Sequence, residues 1–239
     1  MKMMSRKLPL GSRVTLISLA SAFVVLAAAG PVSASVLGTA TASVDHCYTD
    51  GYITIAGVRN VQGYGGFYVL NKTAGTGDGA LIANGLVNSA CIELVQDAVT
   101  GSYTYDVVMP VDAPVPLGTM GAGRAAQLQE LWGRYYLTAS ADPQKAEAFS
   151  AAVWETIYES DAARDVTVGT GFSCSELATG MDVLANTWLA SLDGSGPMAD
   201  LRALVSTTSQ DYVVEIPEPV TAALVLIGSL GMIIRRKRT

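Results

Sequence analysis

Apolar and polar positions alternate with a period of two in short runs of the first half of the chain. Tyr52-Ile53-Thr54-Ile55 alternates, and Gly66-Phe67-Tyr68-Val69-Leu70 is rich in β-prone residues. Ala90-Cys91-Ile92-Glu93-Leu94-Val95 and Tyr103-Thr104-Tyr105-Asp106-Val107-Val108-Met109 follow, with Gly101-Ser102 between them. These two runs predict a hairpin or neighbouring strands. Residues 51–116 therefore read as β-structure, closed by Pro110, Pro114 and Pro116. Gly63-Tyr64-Gly65-Gly66 and Gly75-Thr76-Gly77-Asp78-Gly79 read as turns, since the Lys-Ser/Thr of a phosphate loop is missing.

The period then lengthens. Leu128, Leu131, Trp132 and Tyr135 recur at i, i+3, i+4 and i+7, which predicts a helix over about 120–137. Asp142-Pro143 is a helix start, with Asp as N-cap and Pro as the first helical residue. Ala146, Phe149, Val153, Trp154 and Ile157 line one face of this second helix. A third is expected over about 176–192, with Leu177, Met181, Leu184, Ala185, Trp188 and Leu192 inward, ending at Gly194-Ser195-Gly196-Pro197. Residues 166–172 read as a short strand or loop, Met198–Val205 as a short helix, and Asp211–Val214 as a closing strand. Strands, then helices, then a last strand predict an α+β domain, in the form of a β-sandwich or barrel with a helical insertion of about three helices.

Two longer apolar runs flank this domain. Val14–Ala29 is apolar apart from Ser and Thr, and Lys2, Arg6, Lys7 and Arg13 precede it. Val32-Ser33-Ala34 places small residues at the −3 and −1 positions of a cleavage site. Residues 1–34 are the expected secretory signal peptide, cut after Ala34. At the other end, Pro217-Glu218-Pro219 resists helix, and Val220–Ile234 is free of charge. As a helix this run covers about 22 Å, short of a hydrocarbon core of roughly 30 Å. Arg235, Arg236, Lys237 and Arg238 follow and are expected to stay cytoplasmic, with the Pro-Glu-Pro end outside. The domains are thus 1–34, an exported domain over 35–214, and a C-terminal signal over 215–239 with a membrane helix at 220–234.

The tail closely resembles the PEP-CTERM sorting signal of Gram-negative bacteria, through Pro217-Glu218-Pro219, the apolar run and the basic stop. The resemblance implies recognition by an exosortase near Pro217–Pro219. It also implies an inner-membrane intermediate and export to the cell surface or an extracellular polysaccharide matrix.

Charge sharpens this division. The chain has 15 basic and 21 acidic residues. Four basic residues lie in 1–34 and four in 220–239, so residues 35–219 carry seven against all 21 acids, a net of −14. Nucleic acid is excluded as an expected partner, because phosphate contacts need clustered Lys and Arg. Cations or neutral glycans, including exopolysaccharide, fit an acidic surface.

Candidate chemistry is sparse. His46 is the single histidine, so no multi-His metal site is expected, and its neighbour Cys47 points to the opposite face of an extended chain. No Gly-x-Ser-x-Gly elbow is present. Cysteines stand at 47, 91 and 174. An oxidising compartment permits one disulfide, and Cys47–Cys174 is the expected pair because Cys91 lies in an apolar strand. Glu159, Asp161 and Asp165 lack the spacing of a calcium loop and read as a solvated turn. Asn71-Lys72-Thr73 matches a glycosylation acceptor by coincidence. No cofactor or metal is expected.

Ala90-Cys91-Ile92-Glu93-Leu94, with Tyr103-Thr104-Tyr105 and Ala148-Phe149-Ser150-Ala151-Ala152-Val153-Trp154-Glu155, resembles the thioester-domain family, which includes surface adhesins. That family joins a strand Cys to a Gln four residues before a helix Trp. Cys91 matches the Cys, but Ser150 occupies the Gln position, and Ala90 replaces an aromatic residue. The resemblance implies the fold, with covalent capture lost. Gln96, Gln127, Gln129, Gln144 or Gln210 would replace the missing partner only by chance geometry.

The expectation is a non-enzymatic, exported surface or matrix protein of structural or adhesive role. Two rivals stand beside it. One is a covalent adhesin with an active Cys91 thioester. The other is a secreted hydrolase using Glu155 and Glu159, which lie at i, i+4 on one helix and are expected to face solvent.

Overall fold

The computed structural model describes residues 35–115, 118–159 and 164–217. The signal peptide, its Ala34 cleavage position, Glu218, Pro219, the helix expected at 220–234 and Arg235–Arg238 lie outside the described residues. Among the described residues, no helix is long and apolar enough to cross a membrane.

In chain order the elements are β1 (Gly38–Tyr48), β2 (Tyr52–Gly57), β3 (Val61–Tyr64), β4 (Phe67–Gly77), β5 (Gly85–Cys91) and β6 (Ser102–Val108). The short strands β7 (Pro114–Val115) and β8 (Gly118–Thr119) lead to helices α1 (Gly121–Ala139) and α2 (Pro143–Tyr158). Then come β9 (Phe172–Ser175), α3 (Met181–Ala190), β10 (Leu201–Val205) and β11 (Tyr212–Glu215). Six strands close an antiparallel barrel in the order β1-β4-β5-β11-β10-β6. A second sheet has the order β3-β2-β9. The α+β expectation holds, and the β-part is a barrel.

Aromatic rings fill the barrel. Tyr68 of β4 and Tyr105 of β6 each meet Tyr212 of β11, at centroid distances of 5.5 and 6.0 Å. Neither strand neighbours β11 in the barrel order, so the three rings point into the lumen. Register carries the same face to Ser89, opposite Tyr68, and to Cys91, opposite Tyr212. The alternate residue Phe67 points outward, against Trp132 of α1 and Phe149 of α2. Trp188 of α3 joins this layer at 6.3 Å from Phe149.

Helix α2 is the centre of the molecule. Asp142 Oδ1 caps it by accepting from the amides of Gln144 and Lys145, as the Asp-Pro start predicts. Every residue from Ala146 to Tyr158 is buried, between α1, α3, the barrel and β9. A helix buried all round must match its polar groups one by one.

Four expectations need correction. The runs at 90–95 and 103–109 are not neighbours: β5 lies between β4 and β11, and β6 between β1 and β10. Leu201–Val205 is the strand β10, not a helix, because it supplies the rung between β11 and β6 that closes the barrel. The glycines at 75 and 77 continue β4 before a 3₁₀ turn at Asp78–Ala80. Gly77 has φ +52°, and a Cβ there would lie 2.0 Å from the Leu37 carbonyl oxygen, so the close crossing of β1 and β4 requires glycine. Finally, Cys47, Cys91 and Cys174 are all free. Cys47 pairs with Tyr68 in the barrel and Cys174 with Ile55 in the smaller sheet, and the expected Cys47–Cys174 disulfide is not formed.

Candidate functional site

The segment after β5 leaves the barrel and is held by α2. Trp154 Nε1 donates to the Cys91 carbonyl at 2.9 Å. Tyr158 Oη accepts the Leu94 amide at 2.8 Å and donates to the Ile92 carbonyl at 3.3 Å. Glu93 folds back on its own backbone, accepting from the amides of Val95 and Gln96. These bonds replace the ladder that a continued strand would have made. The turn at 92–97 is thereby fixed at one mouth of the barrel, beside residues 210–211, where the Ile92 amide meets the Asp211 carbonyl at 3.1 Å.

Cys91 is 1% exposed, and its thiol donates to the Glu93 carbonyl at 2.9 Å. Burial pushes its pKa up, which disfavours the nucleophilic thiolate. Ser150 does not face this thiol as a reactive partner. Its Oγ accepts the Gly66 amide at 3.0 Å and donates to the Gly66 carbonyl at 2.7 Å. A Cβ at Gly66 would lie 2.3 Å from the Tyr48 carbonyl oxygen, so the chain approaches too closely for any other residue. The β4–β5 ladder has Tyr68 opposite Ser89, and two residues further on are Gly66 and Cys91. Ser150 thus serves the start of β4, next to the strand end that carries Cys91.

Of the other glutamines, Gln96 reaches the Ser206 carbonyl, Gln127 the Arg164 guanidinium and Gln144 the Asp50 carboxylate. Gln210 comes to the Cys91 turn from the β11 side of the barrel mouth. Its Nε2 donates to the Glu93 carbonyl at 3.1 Å, the same oxygen that accepts the Cys91 thiol. Its Oε1 is buried without a hydrogen-bond partner. Sequence reasoning weighed Gln210 only by type. A polar residue directly before a closing strand was the available signal for its place at the mouth.

The acids of α2 are structural, and the expectation that Glu155 and Glu159 face solvent is overturned. They are 0% and 4% exposed, because the chain after α2 folds over them. Glu155 Oε1 accepts the Asp165 amide at 3.0 Å, and Glu159 Oε2 accepts the amides of Thr170 and Gly171 at 3.1 Å. Desolvation, with the Glu159 charge adding to it, pushes Glu155 up to about 7. About two turns earlier, Glu147 Oε1 accepts from Thr49 Oγ1 and from the amides of Asp50 and Gly51. On α1, Glu130 takes Arg134 and the amides of Gly194 and Gly196. These buried acids staple loops to helices. At Glu130 the effect of burial is outweighed by Arg134 and the two glycine amides, which lower its pKa, and the bonds are charge-assisted.

The remaining candidates separate. Asp165 caps its own turn through Thr167 and accepts from Asn186, while Asp161 lies outside the described residues. His46 pairs with Asp45 at 2.8 Å on the exposed side of β1. Asn71-Lys72-Thr73 lies within β4, between β1 and β5, rather than in a loop, and Lys72 Nζ is held by Asn84 at 2.7 Å. Among the described residues no group of three His, Cys, Asp or Glu can hold a metal. No protein-family model matches the chain, and no curated protein and no solved structure matches it either.

Proposed function

We propose that this chain is an exported, non-enzymatic surface or matrix protein, sorted through its C-terminal signal by an exosortase. The observation that carries the reading is the three-part tail: Pro217-Glu218-Pro219, the uncharged Val220–Ile234 and the basic Arg235–Arg238. The position of the folded domain between the two signals supports it. The barrel's hydrogen bonding begins at Leu37, whose amide meets the Val107 carbonyl at 2.8 Å, three residues after the expected Ala34 cleavage position. Among the described residues it ends at Ile216, whose amide meets the Asp200 carbonyl at 2.8 Å, and Pro217 is exposed. A processing enzyme would reach Pro217 without opening the domain. The acidic barrel contributes structure or adhesion on the outside.

An epitope inserted at the exposed turn around Gly101 tests this reading. In cells with a working exosortase, the tagged chain is expected at the surface in a shortened form. Full-length chain held in the inner membrane of those cells would count against it.

A second reading has its own observation, the shared Glu93 carbonyl that brings Cys91 and Gln210 together. A thioester would form if the Cys91 sulfur attacked the Gln210 carboxamide carbon, expelling ammonia with the thiol proton. The chain would then be a covalent adhesin. The buried, poorly acidic thiol opposes this. A mature mass lower than the sequence by one ammonia, restored by methylamine with labelling at Gln210, would establish it.

A further inference from the structure

Tyr52 and Tyr64 face each other across the β2–β3 hairpin as direct ladder partners. They form the pair at its open end, where β1 leads in and β4 leads out. Side chains opposite each other on one face of such a pair are close enough to interact. Here the rings stack, with centroids 4.2 Å apart and planes inclined by 26°, and the hydroxyl oxygens are 2.6 Å apart. The oxygens lie closer than the centroids, so the rings lean together at their phenolic ends. The ortho carbons, which flank the hydroxyl-bearing carbon of each ring, belong to that converging end.

The pair stands outside the core. Tyr52 is 57% exposed and Tyr64 40%. Among the described residues, which include all ten tyrosines, no other tyrosine is exposed. The contacts of Tyr212 with Tyr68 and Tyr105 lie inside the barrel. Stacking alone explains two aromatic rings here. It does not explain why two hydroxyls meet each other at an edge where water would satisfy both.

Phenols in this arrangement are set for oxidative coupling. A tyrosine that loses one electron and its hydroxyl proton becomes a phenoxyl radical, with the unpaired electron shared between the oxygen and the ortho carbons. Two such radicals join when the p orbitals of their ortho carbons point at each other. That is a face-to-face approach, and the stack holds it in advance. The hairpin also has use for a bond. In the sheet order β3-β2-β9, β3 is an edge strand paired to β2 alone. The described residues hold all three cysteines, and none of them forms a disulfide. A link between the rings would close the loop over residues 52–64 and restrict the unfolded chain as a disulfide does.

From this geometry we infer that Tyr52 and Tyr64 form a site of oxidative modification, at which an extracellular peroxide, used by a peroxidase, joins the two rings by a carbon–carbon bond. Each phenol gives up one electron and its hydroxyl proton. The two radicals couple through one ortho carbon of each ring. The hydrogens on the joined carbons then leave as protons, and the oxygens regain protons, so both phenols are restored. In sum, two ring C–H bonds break and one C–C bond forms. The two electrons and two protons released reduce one peroxide to two waters. The product is an intramolecular dityrosine across the open end of the hairpin. The inference goes beyond the sorting reading and rests on it only for the outside location, where peroxide is met.

The test treats the purified full-length chain, dilute and in detergent, with hydrogen peroxide and a haem peroxidase. Arg59 is the only Lys or Arg between the two tyrosines, so trypsin separates them unless they are linked. The expected product is a monomer lighter by two hydrogens. Its tryptic peptides ending at Arg59 and at Lys72 should stay joined and show dityrosine fluorescence. Tyr52→Phe and Tyr64→Phe keep both rings, and each should lower the joined product at least tenfold. Tyr48→Phe, in the same tryptic peptide as Tyr52, should leave it unchanged. Absence of the joined peptides would overturn the inference. So would joined product undiminished in the Tyr52 and Tyr64 variants, or coupling that yields mainly linked dimers. Coupling by the purified chain does not depend on sorting, so failure here leaves the sorting reading intact, and the converse holds.

Discussion

Ser150 closes both hydrogen-bonding groups of Gly66, accepting its amide at 3.0 Å and donating to its carbonyl at 2.7 Å. A serine so engaged is a strut between α2 and the start of β4. Ser150→Ala leaves both backbone groups buried and unmatched. The expected cost is about 1–3 kcal/mol of unfolding free energy, read by urea denaturation. A loss below about 0.5 kcal/mol would show that the strut carries no load.

The cysteines should behave as three protected thiols. Burial pushes Cys47 and Cys174 up to about 12, and Cys91 is pushed up as well. At pH 7 the native chain is expected to resist alkylation and, once denatured without reductant, to titrate as three thiols. A single thiol would mean that the Cys47–Cys174 bond forms after all.

Glu155 gives the domain a pH dependence of definite sign. Its native carboxyl keeps its proton up to about 7, while the unfolded carboxyl loses it near 4.5. Between these values the native state binds more protons, so stability falls as pH rises. The whole effect is about 3 kcal/mol for this group. Asp211, pushed up to about 7 by burial, acts in the same direction. Glu155→Gln should therefore remove part of the decline in melting temperature between pH 5 and 7.5. An unchanged slope would show that the Glu155 carboxyl is ionised throughout.

Glu147 holds Thr49, Asp50 and Gly51 through one oxygen. Glu147→Ala is expected to free the β1–β2 turn, with amide exchange of residues 50 and 51 at least tenfold faster. It should also lower stability by about 2 kcal/mol. Protection equal to the parent would assign the turn's order to other contacts.

Helices were the legible part of the chain. Leu128, Leu131 and Trp132 repeat with the helical period and are buried, and Asp142-Pro143 starts α2 where it should. The strand β1 escaped notice because Thr39-Ala40-Thr41-Ala42 alternates in small residues of modest β-preference. Only barrel closure, with β4 on one side and β6 on the other, buries Ala40 and Ala42. In β10, Leu201, Ala203 and Leu204 fit either period, and pairing with β6, as of Ala203 with Val108 far back in the chain, decides. At the site, Cys91 and Trp154 stood out only through the family resemblance, and the bond from Trp154 Nε1 to the Cys91 carbonyl was not legible in the spacing. Gln210 was not legible either, since its meeting with Glu93 depends on the register of β11 against β5. The burial of Glu155 and Glu159 was also hidden, because a carboxylate becomes a core group only when a distant loop supplies its donors.

The central claim concerns destination and processing. Intact-mass measurement of the form released from the cell surface tests it most directly. The account predicts a chain that starts at Ser35 and ends near Pro217–Pro219, without the Val220–Ile234 run and its basic stop. A surface form that retains Arg235–Arg238, in cells with an active exosortase, would contradict it.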